Sequence, residues 1–251
     1  MPHMKVFFLH NPKAGGSSVR AALRSFFPDD KIAPTFLNAP NDTRAGLPLE
    51  AELRNYDFFA GHYGFNIYEK FGEKYSIITN FRNPVRRITS LYRYWRNNVS
   101  LDVLSGIHES DAQVVRWAHT LEFSDFIRVD DENLRLYIEN FHFRQIFQSG
   151  WEWCDLDPTN IAIVRDRISK MEWFYIAELP TTSLALFREF VGYRNFEDIP
   201  YENMSVGGEI ELSIRDQEYL LGINTLDLEI YALAISLQRD RFEVLERASA
   251  S

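Results

Sequence analysis

The sequence predicts an α/β fold, a parallel β-sheet with helices on both faces and a mostly helical insertion, from three observations. Short runs of apolar, β-branched and aromatic residues alternate with stretches of helical periodicity, the order that strand–helix–strand units impose. The first such run passes through a glycine loop directly into a helix. Residues 101–150 carry helical patterning with no strong strand, and they form the insertion.

Residues 5–10 form the first predicted strand, followed by the loop 11–16. Behind it Val19, Ala22, Leu23 and Phe26 recur at i, i+3, i+4 and i+7, the spacing of one buried helical face. Residues 33–48, rich in Pro and Asn, read as a surface loop. A short second strand is predicted over 56–60, ending at Gly61-His62. Tyr75, Ile77, Ile78 and Thr79 favour extended backbone and predict a third strand over 74–81.

A sharp helix start follows, with Asn83 as N-cap and Pro84 at the first helical position. Ile88, Leu91, Tyr92, Trp95 and Val99 mark its buried stripe. Ile161, Val164 and Ile168 predict a helix leading to a fourth strand over 173–177, and 181–191 is helical again. Residues 199–211 read as a loop turning at Gly207-Gly208. The last long helix carries Leu226, Ile230, Leu233 and Leu237 on one face, with Asn224 or Thr225 expected to cap it. Asp227 and Glu229 are expected to favour its dipole.

At 251 residues, 45% hydrophobic and 25% charged, the chain suffices for one α/β domain with a sizeable core. Its formal charge of −9 argues against a nucleic-acid binder, whose footprint is basic. Any anionic ligand therefore needs a local positive cluster. Cys154 is the single cysteine, which excludes an intrachain disulfide and argues against a Cys-based zinc site. No apolar run approaches the ~20 residues that span a bilayer. The apolar run 4–9 is too short for a signal peptide. A cytoplasmic setting with no membrane span is the expectation.

Three segments carry chemistry. In the first, Pro12-Lys13-Ala14-Gly15-Gly16-Ser17-Ser18, the glycines let backbone N–H groups approach an anion, and the following helix adds unpaired donors and a positive dipole end. Lys13 supplies a full charge, while Ser17 and Ser18 supply hydroxyls and are candidate caps. In the second, Arg82, Arg86, Arg87, Arg93 and Arg96 fall within fifteen residues. Arg86, Arg87, Ser90, Arg93 and Asn97 are expected on the helix face opposite the apolar stripe, where arginine forks suit a terminal phosphate. In the third, His62 follows a predicted strand and is expected at the same sheet edge as the glycine loop. His108, His119 and His142 show no metal-ligand spacing.

The stretch Phe8-Leu9-His10-Asn11-Pro12-Lys13-Ala14-Gly15-Gly16-Ser17-Ser18 resembles the 5′-phosphosulfate loop, typically HxPKxGGTS, of carbohydrate sulfotransferases that use 3′-phosphoadenosine 5′-phosphosulfate (PAPS). Phe81-Arg82-Asn83-Pro84-Val85-Arg86-Arg87-Ile88-Thr89-Ser90 resembles the same family's 3′-phosphate motif, LRxPVxRxxS. Two motifs in the right order are far more specific than either alone. The resemblance is to the family 2-like group related to heparan sulfate O-sulfotransferases. Phe59-Ala60-Gly61-His62-Tyr63-Gly64-Phe65 is similar to its SGH segment, whose histidine is the base. Further echoes are Glu139-Asn140-Phe141-His142-Phe143-Arg144-Gln145 for NxxxRQ and Phe174-Tyr175-Ile176-Ala177-Glu178 for FVGxTE. Tyr201-Glu202-Asn203-Met204-Ser205 echoes NxS, and Asn224-Thr225-Leu226-Asp227-Leu228-Glu229-Ile230-Tyr231 echoes N-x-LDxxLY.

The resemblance implies one P-loop-like domain over 1–251, with 101–150 on the acceptor side. Lys13, Ala14, Gly15, Gly16, Ser17 and Ser18 would hold the 5′-phosphosulfate, with Lys13 neutralising charge on the bridging oxygen. Arg82 and Ser90 would bind the 3′-phosphate, and Arg87 matches the motif's second arginine. His62 would remove the acceptor proton, and His10, which matches the family's loop histidine, would be a structural neighbour of the site. Arg144 and Asn140 are candidates for contact with the acceptor. The reaction would release adenosine 3′,5′-bisphosphate and needs no metal. A glycan or glycolipid hydroxyl is the favoured acceptor, a tyrosyl peptide or small metabolite the alternative. Two other readings stay open. A kinase-like P-loop phosphotransferase expects the Walker order GxxxxGK[ST], which is absent because Lys13 precedes the glycines. A non-catalytic PAPS-fold binding protein would keep Lys13 and Arg82 but transfer nothing.

Overall fold

Four short strands carry the architecture: β1 (Val6–Leu9), β2 (Phe58–Gly61), β3 (Ser76–Phe81) and β4 (Trp173–Ile176). They form one sheet of order β2-β1-β3-β4, and every pairing is parallel. The computed structural model describes residues 4–33, 55–70, 74–193, 196, 199 and 210–249. Most of the loop expected over 33–48, and the segment Tyr201 to Ser205 with Gly207 and Gly208, lie outside the described residues.

Eleven described α-helices surround the sheet. They are α1 (Gly16–Arg24), α2 (Phe65–Glu69), α3 (Pro84–Asn98), α4 (Glu109–Thr120), α5 (Phe123–Phe126) and α6 (Glu132–Ile138). There follow α7 (Phe141–Phe147), α8 (Pro158–Lys170), α9 (Pro180–Val191), α10 (Ile214–Ile223) and α11 (Thr225–Ser249). A 3-10 turn, Leu101–Gly106, joins α3 to α4. No single described helix is long and apolar enough to cross a membrane.

Alternation along the strands explains why both sheet faces are covered. Successive side chains point to opposite faces. Val6 and Phe8 pack with Ile78, Trp173, Val19 and Leu23 of α1 and Phe187 of α9. Phe7 and Leu9 pack with Phe81, Phe174, Phe143 of α7, Ile168 of α8 and Ile230 of α11. A third core lies away from the sheet, where Ile88, Leu91, Tyr92 and Trp95 of α3 meet Val114, Val115, Phe126, Leu134 and Leu220. The insertion is thus helical and rests on the stripe of α3 that the sequence marks.

The register fixes where the chemistry falls. Leu9 lies level with Gly61 on one side and Thr79 on the other, and Phe81 with Ile176. His10, His62, Arg82 and Glu178 therefore leave their strands at one sheet edge. The chain visits β2 and β3 on opposite sides of β1, so this edge includes a topological switch point, where open parallel sheets characteristically bind ligands.

One expectation needs correction, and two features add to the expected fold. Arg87 and Ser90 are buried, not on an open polar face with Arg86 and Arg93. The insertion packs on that side: Arg87 Nη2 donates to the carbonyl of Tyr137 at 2.8 Å, and the guanidinium lies 5.4 Å from the Phe141 ring. Asp227 lies in the first turn of its own helix as expected, but its carboxylate oxygens bond another helix. Its Oδ1 and Oδ2 accept from the backbone N–H groups of Phe143 and His142 at the start of α7. Asn140 returns the favour, its Oδ1 accepting from Leu226 N and Asp227 N at the start of α11, while Asn224 Oδ1 accepts from Asn140 N. Each helix is capped by residues of the other. Lastly, α10 was not foreseen, although Ser213 caps it through Asp216 N in a recognisable S-x-x-D pattern.

Candidate active site

The glycine loop leaves β1 through Asn11, which is buried and pairs reciprocally with Asn80 of β3. Asn11 N donates to Asn80 Oδ1 at 2.8 Å, and Asn80 Nδ2 donates to Asn11 O at 2.9 Å. These bonds fasten the loop to the strand that leads into Arg82. Lys13 then takes φ 63° and Gly15 φ 82°. A left-handed lysine is uncommon and carries local strain of the kind found at functional sites. Gly15 is needed both for its φ and because an added Cβ would lie 2.7 Å from Tyr175 Cε1. At Gly16 a Cβ would run into the His10 ring.

Helix α1 opens at Gly16 with Gly15 as N-cap and no side-chain cap, so Ser17 and Ser18 are first-turn residues and not the caps expected. Ala14 and Ser18 are buried, and Ser17 is half-buried. The helix's opening N–H groups lack intrahelical acceptors, which leaves a positive dipole end at the loop.

The arginine segment meets this loop directly. Arg82 Nη1 donates to the carbonyl of Lys13 at 2.9 Å. Its helix is capped as the sequence indicates, with Asn83 Oδ1 accepting from Val85 N and Arg86 N. Glu178, just beyond β4, accepts from Asn83 N at 3.2 Å and from the Tyr231 hydroxyl at 3.0 Å. It ties the start of α3 to β4 and α11 and supplies a negative charge near Arg82.

Positive charge accumulates here. Burial, with Arg82 and Arg93 beside it, lowers the Lys13 pKa to about 8. Burial also lowers that of Arg82, offset by Glu178 and reinforced by Arg86 and Arg93. The Lys13 ammonium sits 4.0 Å from the centre of the Tyr94 ring, a cation–π contact. Among the described residues neither Lys13 nor Arg82 has a carboxylate within ion-pair distance. With Glu178 the nearby acid and no ion pair to either Lys13 or Arg82 among the described residues, the cluster is suited to an anion.

The histidines complete the edge. The rings of His10 and His62 lie 4.9 Å apart, edge to face, and His10 stacks on Phe8. Burial, then Arg20 and Lys13, push the His62 pKa down to about 4. Burial, with His62, Arg20 and Lys13, also holds His10 well below the ordinary histidine range. Both rings are neutral near pH 7, and a neutral imidazole can accept a proton. His142 is a different case. It is enclosed in the core, with Nε2 3.0 Å from Thr79 Oγ1, and burial pushes it to about 3.

The structure thus brings together Lys13, Ala14, Gly15, Gly16, Ser17, Ser18, Arg82 and His62 at the strand ends, with Ser90 buried two turns into α3. Arg144 and Asn140 do not join them. Arg144 is 1% exposed, and its guanidinium donates to the carbonyls of Leu136, Glu139, Gly150 and Glu152. Asn140 is the cap of α11. Both hold the insertion together. The residue next to Arg144 is the one that reaches the site. Gln145 Nε2 donates to His10 O at 3.2 Å and to Tyr63 O at 2.8 Å. Trp151 Nε1 donates to His62 O at 3.2 Å. The only sequence signal for Gln145 was its place in the NxxxRQ echo, and Trp151 had none. Among the described residues no group of three or more His, Cys, Asp or Glu is arranged to hold a metal. No protein-family model matches the chain, and no curated protein matches it.

Proposed function

We propose that the chain is a PAPS-dependent sulfotransferase that moves a sulfuryl group to an acceptor hydroxyl, with a sugar hydroxyl the favoured acceptor. The observation that carries this reading is the bond from Arg82 Nη1 to Lys13 O. Segments that resemble the binding motifs for the two ends of PAPS share one edge of the parallel sheet, although 69 residues separate them.

In this reading the loop amides, the start of α1 and Lys13 receive the 5′-phosphosulfate, and Arg82 with Ser90 the 3′-phosphate. The acceptor oxygen attacks sulfur as the bond from sulfur to the bridging oxygen breaks, and adenosine 3′,5′-bisphosphate leaves. The acceptor proton passes to His62, which is neutral at pH 7. Lys13 opposes the negative charge that grows on the leaving oxygen. Fixed donors of this kind contribute roughly 3 kcal/mol each to transition-state stabilisation. The single cysteine, Cys154, fits a reducing cytoplasmic setting.

Transfer of radiolabelled sulfate from PAPS into glycan, glycolipid, tyrosyl-peptide and small-metabolite pools tests the proposal. Label is expected in one pool, with His62→Ala losing transfer and keeping nucleotide affinity. No label in any pool overturns the reading. Equal loss of transfer and binding in His62→Ala overturns the role of His62.

A further inference from the structure

We propose that Gln145 is the positioning residue of the histidine pair, setting the relation of His10 to His62 by tying together the two strand ends that carry them. The functional consequence rests on the sulfotransferase reading, whereas the geometry does not.

The two histidines leave adjacent parallel strands, and a single backbone bond, His10 N to Gly61 O at 2.9 Å, links the strands at that level. Beyond it the chains diverge, β1 into the glycine loop and β2 into the turn before α2. Ladder bonds no longer hold them in register. The Gln145 amide spans this gap. One NH2 group donates to the carbonyls of His10 and Tyr63, and Gln145 is 0% exposed, so water does not compete for either bond. Trp151 Nε1 holds the intervening carbonyl of His62. Three attachment points, at the carbonyls of His10, His62 and Tyr63, thus fix the backbone under both imidazoles.

The clamp is itself anchored. Gln145 stands on α7, whose first N–H groups are held by Asp227 of α11, and whose end holds α2 through Asn66 N donating to Gln148 O at 3.0 Å. The position of the backbone that bears the His62 ring is therefore tied to α7 and α11, which pack against the sheet with Phe7 and Leu9, and not to its own loop alone. Gln145 Oε1 has no hydrogen-bond partner among the described residues, although it is buried. The unpaired oxygen carries a cost that the two bonds of the NH2 group offset, so what the amide contributes lies in the two carbonyls its donors hold.

Gln145→Met keeps the volume and removes both donors. The probe is the ring Cε1–Hε1 signals of the nucleotide-free protein, with His108 and His119 as internal references. The expected result is a shift of the His10 and His62 signals with the references unmoved. In transfer assays kcat is expected to fall 10- to 100-fold, with KM for PAPS and affinity for adenosine 3′,5′-bisphosphate within about twofold. Gln145→Glu, which keeps the shape and one donor when protonated, is expected to recover part of kcat at low pH. It also serves where the methionine variant does not fold. Unmoved His10 and His62 signals in a folded variant overturn the clamp, and so does a loss shared equally by kcat and nucleotide affinity. Failure of both variants to fold overturns a role confined to positioning. If the unaltered protein transfers no sulfate, the functional reading falls, and the ring signals alone decide the clamp.

Discussion

The Arg82 guanidinium donates from Nη1 to the backbone carbonyl of Lys13 at 2.9 Å, joining two segments that lie 69 residues apart. The carbonyl belongs to a residue held at φ 63°, so the bond steadies a backbone shape that lysine adopts reluctantly. It also keeps two cations close in a partly buried place, an arrangement that an incoming anion relieves.

Arg82→Lys tests whether the planar fork matters beyond its charge. Lysine cannot bond the Lys13 carbonyl and a phosphate in the same geometry. Affinity for adenosine 3′,5′-bisphosphate is expected to fall about tenfold, which is about 1.4 kcal/mol. Calorimetric titration checks this, and equal affinity in the two proteins would count against the dual role.

Glycine replacements separate backbone strain from crowding. Gly192 has φ 65° with open space around its missing Cβ, so Gly192→Ala is expected to cost only about 1 kcal/mol. Gly15→Ala adds a clash with Tyr175 to a similar φ, and a loss of roughly 2–4 kcal/mol is expected. Urea unfolding measures both. Equal losses would mean that Tyr175 yields freely and does not fix the loop.

The titration of Lys13 gives binding a defined pH dependence. A lysine lowered to about 8 is charged below that pH and loses its proton above it. A phosphorylated ligand favours the charged form, so affinity falls as pH rises past 8, by at most about tenfold per unit. Lys13→Gln is expected to lose this dependence. The same ligand offsets Arg20 and Lys13, which after burial help to hold His62 near 4. The His62 ring pKa therefore rises on binding, a shift that ring NMR titration with and without adenosine 3′,5′-bisphosphate reads directly. A pKa that stays at its unliganded value would separate His62 from the anion site.

Cross-capping makes Asp227 a stability residue. Asp227→Ala removes the acceptor of two buried N–H groups and the charge that offsets buried Arg87 and Arg144. The expected cost is about 3–5 kcal/mol. Asn140→Ala removes a neutral cap and is expected to cost about 1–3 kcal/mol. Chemical denaturation ranks the two, and the reverse order would contradict the reading of Asp227 as counter-charge.

What the sequence made legible were features with a local cause. Asn83-Pro84 states its helix start, the apolar stripe of α3 states its buried face, and Lys13 with Gly15 and Gly16 states a loop before a helix. What it hid depends on partners far along the chain. Arg87 reads as a surface cation because periodicity records polarity and not the later arrival of Tyr137 and Phe141. Asp227 reads as a dipole-favouring acid on its own helix, whereas its partners lie 84 and 85 residues earlier. Arg144 and Gln145 are neighbours on a seven-residue helix too short to declare which of them faces the strand ends. The arginine drew attention as the charged member of the motif, and the amide is the one that reaches the histidines.

The central claim is that the glycine loop and the arginine segment grip one doubly phosphorylated adenosine from its two ends. Calorimetric titration of adenosine 3′,5′-bisphosphate into the unaltered protein, Lys13→Ala and Arg82→Ala tests it most directly, with adenosine 5′-phosphate as the comparison. The expected result is one site per chain, at least about tenfold weaker in each variant, with Arg82→Ala no longer preferring the nucleotide that carries the 3′-phosphate. Absence of binding to the unaltered protein, or the same affinity in all three, would contradict it.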